Sequence, residues 1–239
     1  MLHAETKKEL KTILATMDLT VPPRSEGRTT KQVERFAAAH LLATLPSQRL
    51  SFPLILEHRD RPDFLLKMGK YSIGIEHTEA IPQNEAHASV LRHAGHGPDV
   101  HFLGRYVPGE PKKQAKQLIS MTQDNDPGDG WVGDSPGEEW ASAMAHFVAE
   151  KVDKARKPGF QNFDKTWLLI YDNWPVPPID AKKTSNFLTK LLAAGDSFTV
   201  FDCIFVLSNQ TLWEFSRLEN LIFNIVKPGK VGCHNTNLT

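Results

Sequence analysis

Two apolar runs, WLLIY at Trp167–Tyr171 and VFDCIFVL at Val200–Leu207, most constrain what this chain can fold into. A run of about four to eight such residues without polar alternation reads as a strand buried on both faces, at the centre of a sheet and not at its surface. A helical stretch over residues 181–194 lies between them, with a longer one before Trp167. Strands alternating with helices predict an α/β layer fold with a mixed sheet. With 239 residues and 40% hydrophobic content, the chain can bury a substantial core, which excludes wholesale disorder.

Helix signals frame the rest. A first helix is expected over about residues 4–16. Thr29 and Thr30 can cap a second that runs to about Leu45, with Val33, Phe36, Ala37, His40 and Leu41 at helical spacing, Glu34 beside the stripe and Pro46 as the stop. Three short apolar segments follow at Phe52, Pro62 and Tyr71 and predict a strand and then a β-hairpin. Residues 81–135 form a His-, Pro- and Gly-rich insertion in a single α/β domain whose core covers about 30–80 and 136–220, with one helix near Asn84 to His93. Within it, residues 123–139 (QDNDPGDGWVGDSPGEE) hold six acids and no Lys or Arg and suggest an exposed acidic loop. Ser135, Pro136, Glu138 and Glu139 open a helix well, and Lys151, Lys154, Arg156 and Lys157 end it before Pro158 and Gly159. A further helix is expected to begin over Thr211–Ser216.

Charge and cysteine usage narrow the function classes. Lys plus Arg and Asp plus Glu number 28 each, so no global field draws the chain to nucleic acid or to acidic lipid. Two cysteines, Cys203 in an apolar run and Cys233 near the end, cannot build a disulfide framework and fit a reducing compartment. The charged N-terminal stretch lacks the apolar segment of a signal peptide, so a cytoplasmic protein with no membrane association is expected. GXSXG and HEXXH are absent, and the glycines at Gly128 and Gly130 stand among acids that would repel phosphate. His87, His93, His96 and His101 lack the spacing of a zinc set and read as loop histidines.

The stretch EHRDRPDFLLKMGKYSIGIEHTEA, residues 57–80, carries the chemistry. A hairpin turning at Gly69 and Lys70 sets Phe64 opposite Ile75 and Leu66 opposite Ile73, which places Asp63 opposite Glu76. Alternation then sorts the apolar residues to one face and Asp63, Glu76 and Thr78 to the other. Like charges face to face are unfavourable unless something neutralises them. A divalent cation held by two carboxylates, a backbone carbonyl and water does so. The alternative is an exposed hairpin face whose acids pair with Arg59, Arg61 or Lys70, and a one-residue slip in register would separate the acids altogether.

An acid-bearing helix with Glu34, then Pro62, Asp63 and Phe64 opening a strand, then IGIEHTEA, resembles the PD-(D/E)XK nuclease superfamily, the restriction-endonuclease-like group. The likeness covers about residues 30–80 and, more weakly, the helix before Trp167 and the WLLIY strand. It implies a restriction-endonuclease-like core, metal-dependent hydrolysis of phosphodiester bonds in DNA, favoured over RNA, and Mg²⁺ or Mn²⁺ as cofactor. Asp63 and Glu76, with the carbonyl of His77 or Thr78, would hold the metal, and Glu34 would assist from its helix. The resemblance breaks at the position two residues after Glu76, where the family has Lys and this chain has Thr78. Lys151 and Lys154, three apart on the following helix, could supply that cation from elsewhere, or could simply be a solvated helix end. A degenerate nuclease fold that binds without cutting, alone or with a second copy or protein partner, is the other reading. Neutral net charge predicts weak binding to nucleic acid that depends on metal or on a partner covering the acidic loop.

Overall fold

The computed structural model describes residues 1–157 and 163–229, and Pro158, Gly159 and Cys233 lie outside the described residues. Eight strands form one mixed sheet in chain order: β1 (Leu2–Ala4), β2 (Leu54–His58), β3 (Phe64–Met68), β4 (Tyr71–Ala80), β5 (Lys165–Asp172), β6 (Cys203–Leu207), β7 (Thr211–Ser216) and β8 (Asn220–Asn224). Strands β1 to β4 are antiparallel, β4, β5 and β6 run parallel, and β6 to β8 return to antiparallel pairing. The two apolar runs occupy β5 and β6, inside the parallel part. Parallel neighbours need a crossover, and the helices that make these crossovers cover the sheet.

Seven helices are described: α1 (Lys7–Thr16), α2 (Thr30–Thr44), α3 (Gln83–His93), α4 (Ala115–Asp124), α5 (Ser135–Ala155), α6 (Ala181–Ala194) and α7 (Ser197–Val200). Helices α1 and α2 pack on one face of the sheet through Leu10, Leu14, Ala38, Leu41 and Leu42, against Leu54, Phe64, Leu66, Ile73, Ile75 and Leu169. Helices α5 and α6 pack on the other through Trp140, Met144, Val148, Val152, Leu188 and Leu192, against Leu168, Ile170, Ile204, Val206 and Phe215. Every second residue of each central strand belongs to one layer or the other. Helices α3 and α4 stand between β4 and α5.

Several expected boundaries hold. Thr29 caps α2 in a capping box with Gln32, which stands at the third helical position, and the hairpin turns at Gly69, whose φ of 58° suits glycine. Others are corrected. Thr211–Ser216 is strand β7, because pairing with β6 across Leu207–Leu212 to Cys203–Ser216 overrides the helical spacing of TLWEFS. The second apolar run starts as α7 and becomes strand only at Cys203. Gln117 closes a capping box at the start of α4, so the acidic stretch first completes that helix. Ser135 is the first residue of α5 and Asp134 its cap, so the serine opens the helix without capping it. The edge strands β1 and β8 are short, and their sequences carry little period-two signal. No helix among the described residues is long and apolar enough to cross a membrane.

Candidate functional site

The register places Phe64 against Ile75 and Leu66 against Ile73, so the hairpin lines up its acids as alternation predicts. Asp63 sits one residue before β3 and is fixed twice. Its carbonyl accepts from the Arg59 N–H at 2.8 Å, closing the turn out of β2, and its Oδ2 accepts from the His77 N–H at 2.6 Å across to β4. Glu76 and Thr78 fall on the same side of β4 as Ala80, which packs in the α5–α6 layer. Gly74 is on that side too, and a Cβ there would lie 2.6 Å from the Phe163 ring. The absent side chain lets that ring close against the strand beside the acids.

Into this space α5 delivers Lys151. The helix is anchored by Trp140, fully buried, whose indole N–H donates to Asp172 on β5 at 2.7 Å. Eleven residues on, three helical turns later and on nearly the same side of the helix, stands Lys151. Its Nζ lies 2.8 Å from Glu76 Oε2 and 3.7 Å from Asp63 Oδ2. The side chains of Lys151, Glu76 and Asp63 are 12%, 13% and 20% exposed, so the cluster is largely withdrawn from water. Burial raises the Asp63 pKa above the ordinary carboxylate value, against the pull of Lys151 and the His77 N–H, and the Glu34 charge adds to the rise. The ionised Asp63 is thus under-compensated by the groups around it.

Glu34 reaches the same neighbourhood from α2 on the other face. It is buried, and its Oε2 accepts from His58 Nε2 at 2.6 Å. His58, at the end of β2, stands edge-on to Phe64, the residue after Asp63. Glu34 therefore bears on Asp63 through its charge and holds a histidine that sequence reasoning passed over. His77, between the two faces' acids, is buried with its pKa lowered to about 3, first by burial and then by Lys151, so its ring is neutral.

The structure thus brings together Asp63, Glu76 and Lys151, sets Glu34 on the other face where it is paired to His58, and leaves Lys154 apart: three residues along α5, it is exposed and makes no ion pair among those described. The difference follows from helix geometry, since Lys151 borders the buried stripe of Val148 and Val152 and Lys154 does not. Nor do Arg59, Arg61 or Lys70 neutralise the hairpin acids; Lys151 takes that place. Among the described residues no three His, Cys, Asp or Glu side chains converge as a ready metal cage. Two carboxylates beside strand carbonyls do match the hard-oxygen set that Mg²⁺ completes with water, and the under-compensated Asp63 charge fits a cation. Cys203 offers no competing chemistry, since burial and the neighbouring Glu214 push its thiol up to about 12.

Sequence reasoning also passed over a second charged cluster on the opposite face of β4. Glu79 is engaged there by Arg24 and Arg28, from the loop before α2, and by Asn173, just after β5. Its signal was present: by alternation Glu79 shares a face with Ile73 and Ile75, and an acid on an apolar face calls for a cation. Comparison with protein-family models, with curated proteins and with solved structures found no match to this chain.

Proposed function

We infer that this chain is a metal-dependent nuclease with a restriction-endonuclease-like core, hydrolysing phosphodiester bonds of DNA in preference to RNA. The observation that carries this reading is the approach of Lys151 to Glu76 and Asp63, which puts a cation beside the two acids although Thr78 stands at the usual lysine position. An acid-bearing helix, a hairpin with PDF leading into one strand and IGIEH on the next, then a lysine-bearing helix and a parallel strand support this reading by their order along the chain.

Asp63 and Glu76, with the carbonyl of His77 or Thr78, would hold Mg²⁺ or Mn²⁺, which when bound lowers the pKa of water and polarises the phosphate. Asp63 is positioned for this by the Arg59 and His77 N–H groups, and Glu76 by its place in β4. The Lys151 ammonium would balance charge gathering on the phosphate oxygens, an effect strengthened by its burial. Glu34, steadied by His58, would hold the Asp63 carboxylate's surroundings negative and keep the site selective for a cation.

The test is cleavage of single- and double-stranded DNA and of RNA in Mg²⁺ and Mn²⁺, with Asp63→Ala and Glu76→Ala alongside. Metal-dependent cutting that both substitutions abolish supports the reading. Intact protein that cuts none of these in either metal, and binds no metal by calorimetry, overturns it. One observation favours a second reading, a nuclease-fold protein that binds without cutting: Lys151 already pairs with Glu76 beside Asp63, and no third acidic or imidazole ligand joins them among the described residues.

A further inference from the structure

A cavity of about 290 Å³ opens at the end of β4 and β5, on the sheet face away from Glu76 and Lys151. Arg24, Ser25, Arg28, Ser89, His93 and Asn173 bring hydrogen-bond donors to its wall. The carboxylates there already carry much of this donor load. Glu79 Oε1 alone takes the Arg28 guanidinium, the Asn173 amide at 2.6 Å and the approach of Arg24 at 2.6 Å. Glu85 gives one oxygen to Arg92 and the other to the Tyr106 hydroxyl at 2.6 Å. Arg24 Nη2, close to Glu79 but out of hydrogen-bond alignment, is buried with no hydrogen-bond acceptor among the described residues. Two guanidiniums facing one carboxylate leave one positive charge uncompensated, beside a space large enough for several waters.

An occupant of such a space has to bring negative charge and several acceptor oxygens of its own, in a shape two arginines can grip. We propose that this cavity binds a phosphate group of the nucleic acid on which the candidate centre acts, as a second, non-catalytic phosphate site. That the phosphate belongs to a nucleic acid rests on the nuclease reading; the demand for an anion does not. Glu76 and Glu79 stand three residues apart on β4, about 10 Å along the strand, and face opposite sides of the sheet. A phosphate held in the cavity would therefore be gripped apart from the one at the centre.

The test uses the full chain in EDTA, where cleavage cannot occur, with inorganic phosphate as the probe read by thermal shift and calorimetry at fixed chloride concentration. Short DNA strands with and without a 5′-phosphate then compete with it. Ser89→Glu places a carboxylate against the cavity and leaves the Arg24–Arg28–Glu79 cluster intact, so it tests the site without stripping a buried charge of its partner; Ser89→Ala is the control. Saturable phosphate binding, weakened at least tenfold in Ser89→Glu, kept in Ser89→Ala and displaced by DNA, supports the proposal. Displacement by the phosphorylated strand alone identifies a terminal phosphate, and equal displacement by both strands an internal one. Absence of phosphate binding, binding unchanged in Ser89→Glu, or binding that neither strand displaces overturns it. A chain that binds in this way and never cuts in Mg²⁺ or Mn²⁺ defeats the nuclease reading and leaves the cavity's role standing.

Discussion

Glu76 and Glu79 stand three residues apart on β4, and the two faces of the strand set them in opposite electrostatic settings. On the α5 side, Glu76 and Asp63 share one lysine, so acid is in excess, and Asp63 has its pKa raised by burial. On the α2 side Glu79 is shared by two arginines, so base is in excess, and the Arg28 hydrogen bond and the charges of both arginines lower its pKa despite burial. A buried carboxylate is tolerated only with a partner, and the count of partners sets what is still missing. One site lacks a cation and the other an anion, which is the pairing that binding a metal and a phosphate chain would require.

The largest effects should come from breaking the acid-rich side. Asp63→Ala or Glu76→Gln is expected to abolish metal-dependent cleavage, and Lys151→Ala to lower it by about 10²–10³-fold, the usual cost of removing one preorganised group that stabilises developing charge. A sharper arm moves the cation. Thr78 shares the Glu76 side of β4, so Lys151→Ala combined with Thr78→Lys should recover part of the lost rate, measured as single-turnover cleavage. No recovery, with the variant folded by circular dichroism, would tell against Lys151 as a stand-in for the lysine at position 78.

On the base-rich side the main effect is on stability. Glu79→Gln strips the shared partner from Arg24 and Arg28, whose side chains are only 24% and 14% exposed, and should destabilise the fold by about 3 kcal/mol in urea unfolding at pH 7. The sign with pH follows from the lowered value. The Glu79 contribution is present above the ordinary pKa of 4.5 and is lost as the pH falls through its folded value, so the variant and the parent should converge on acidification.

Asp63 should behave in reverse. Its folded pKa is raised, so its contribution is full below the ordinary 3.8 and is lost as the pH rises through the folded value. In EDTA, Asp63→Asn should therefore have a higher Tm than the parent at pH 7, with the gap closing towards pH 3, and Mg²⁺ should raise the Tm of the parent but not of the variant. The groups facing Asp63, namely Lys151, Glu34, His58 and the His77 N–H, are common to both proteins. A parent more stable than Asp63→Asn at pH 7 without metal would show that its carboxylate is already satisfied, and would remove the contrast between the two faces.

How much of this the sequence discloses depends on the range of the interaction. The hairpin register was legible from Phe64, Leu66, Ile73 and Ile75, because alternation and a Gly69 turn are local, and Asp63 and Glu76 came with it. The central strands were legible because burial on both faces erases alternation. Glu214 and Trp213 in β7 were not, since a six-residue segment with mixed spacing takes its structure from the strand it pairs with. Arg24 and Arg28 read as loop residues, and nothing nearby in sequence says that the loop folds over the end of β4 to meet Glu79. Lys151 was visible only together with Lys154, because spacing alone shows that both lie near the helix edge and not which of them borders the buried stripe.

That last ambiguity gives the smallest expected effect and the cleanest control. Lys154 is exposed at the end of α5, and its charge complements the negative end of the helix dipole, worth about 0.3–1 kcal/mol at low salt and less once salt screens it. Lys154→Ala should therefore shift stability by less than about 0.5 kcal/mol at physiological salt and leave the cleavage rate within about twofold. Lys151→Ala in the same helix should lose most activity. The two lysines are a turn apart, so a general change in helix charge would affect both variants alike. If Lys154→Ala cost as much activity as Lys151→Ala, the effect would belong to the positive helix end as a whole, and the approach of Lys151 to Glu76 and Asp63 would no longer single out the acid-rich face of β4 as the centre.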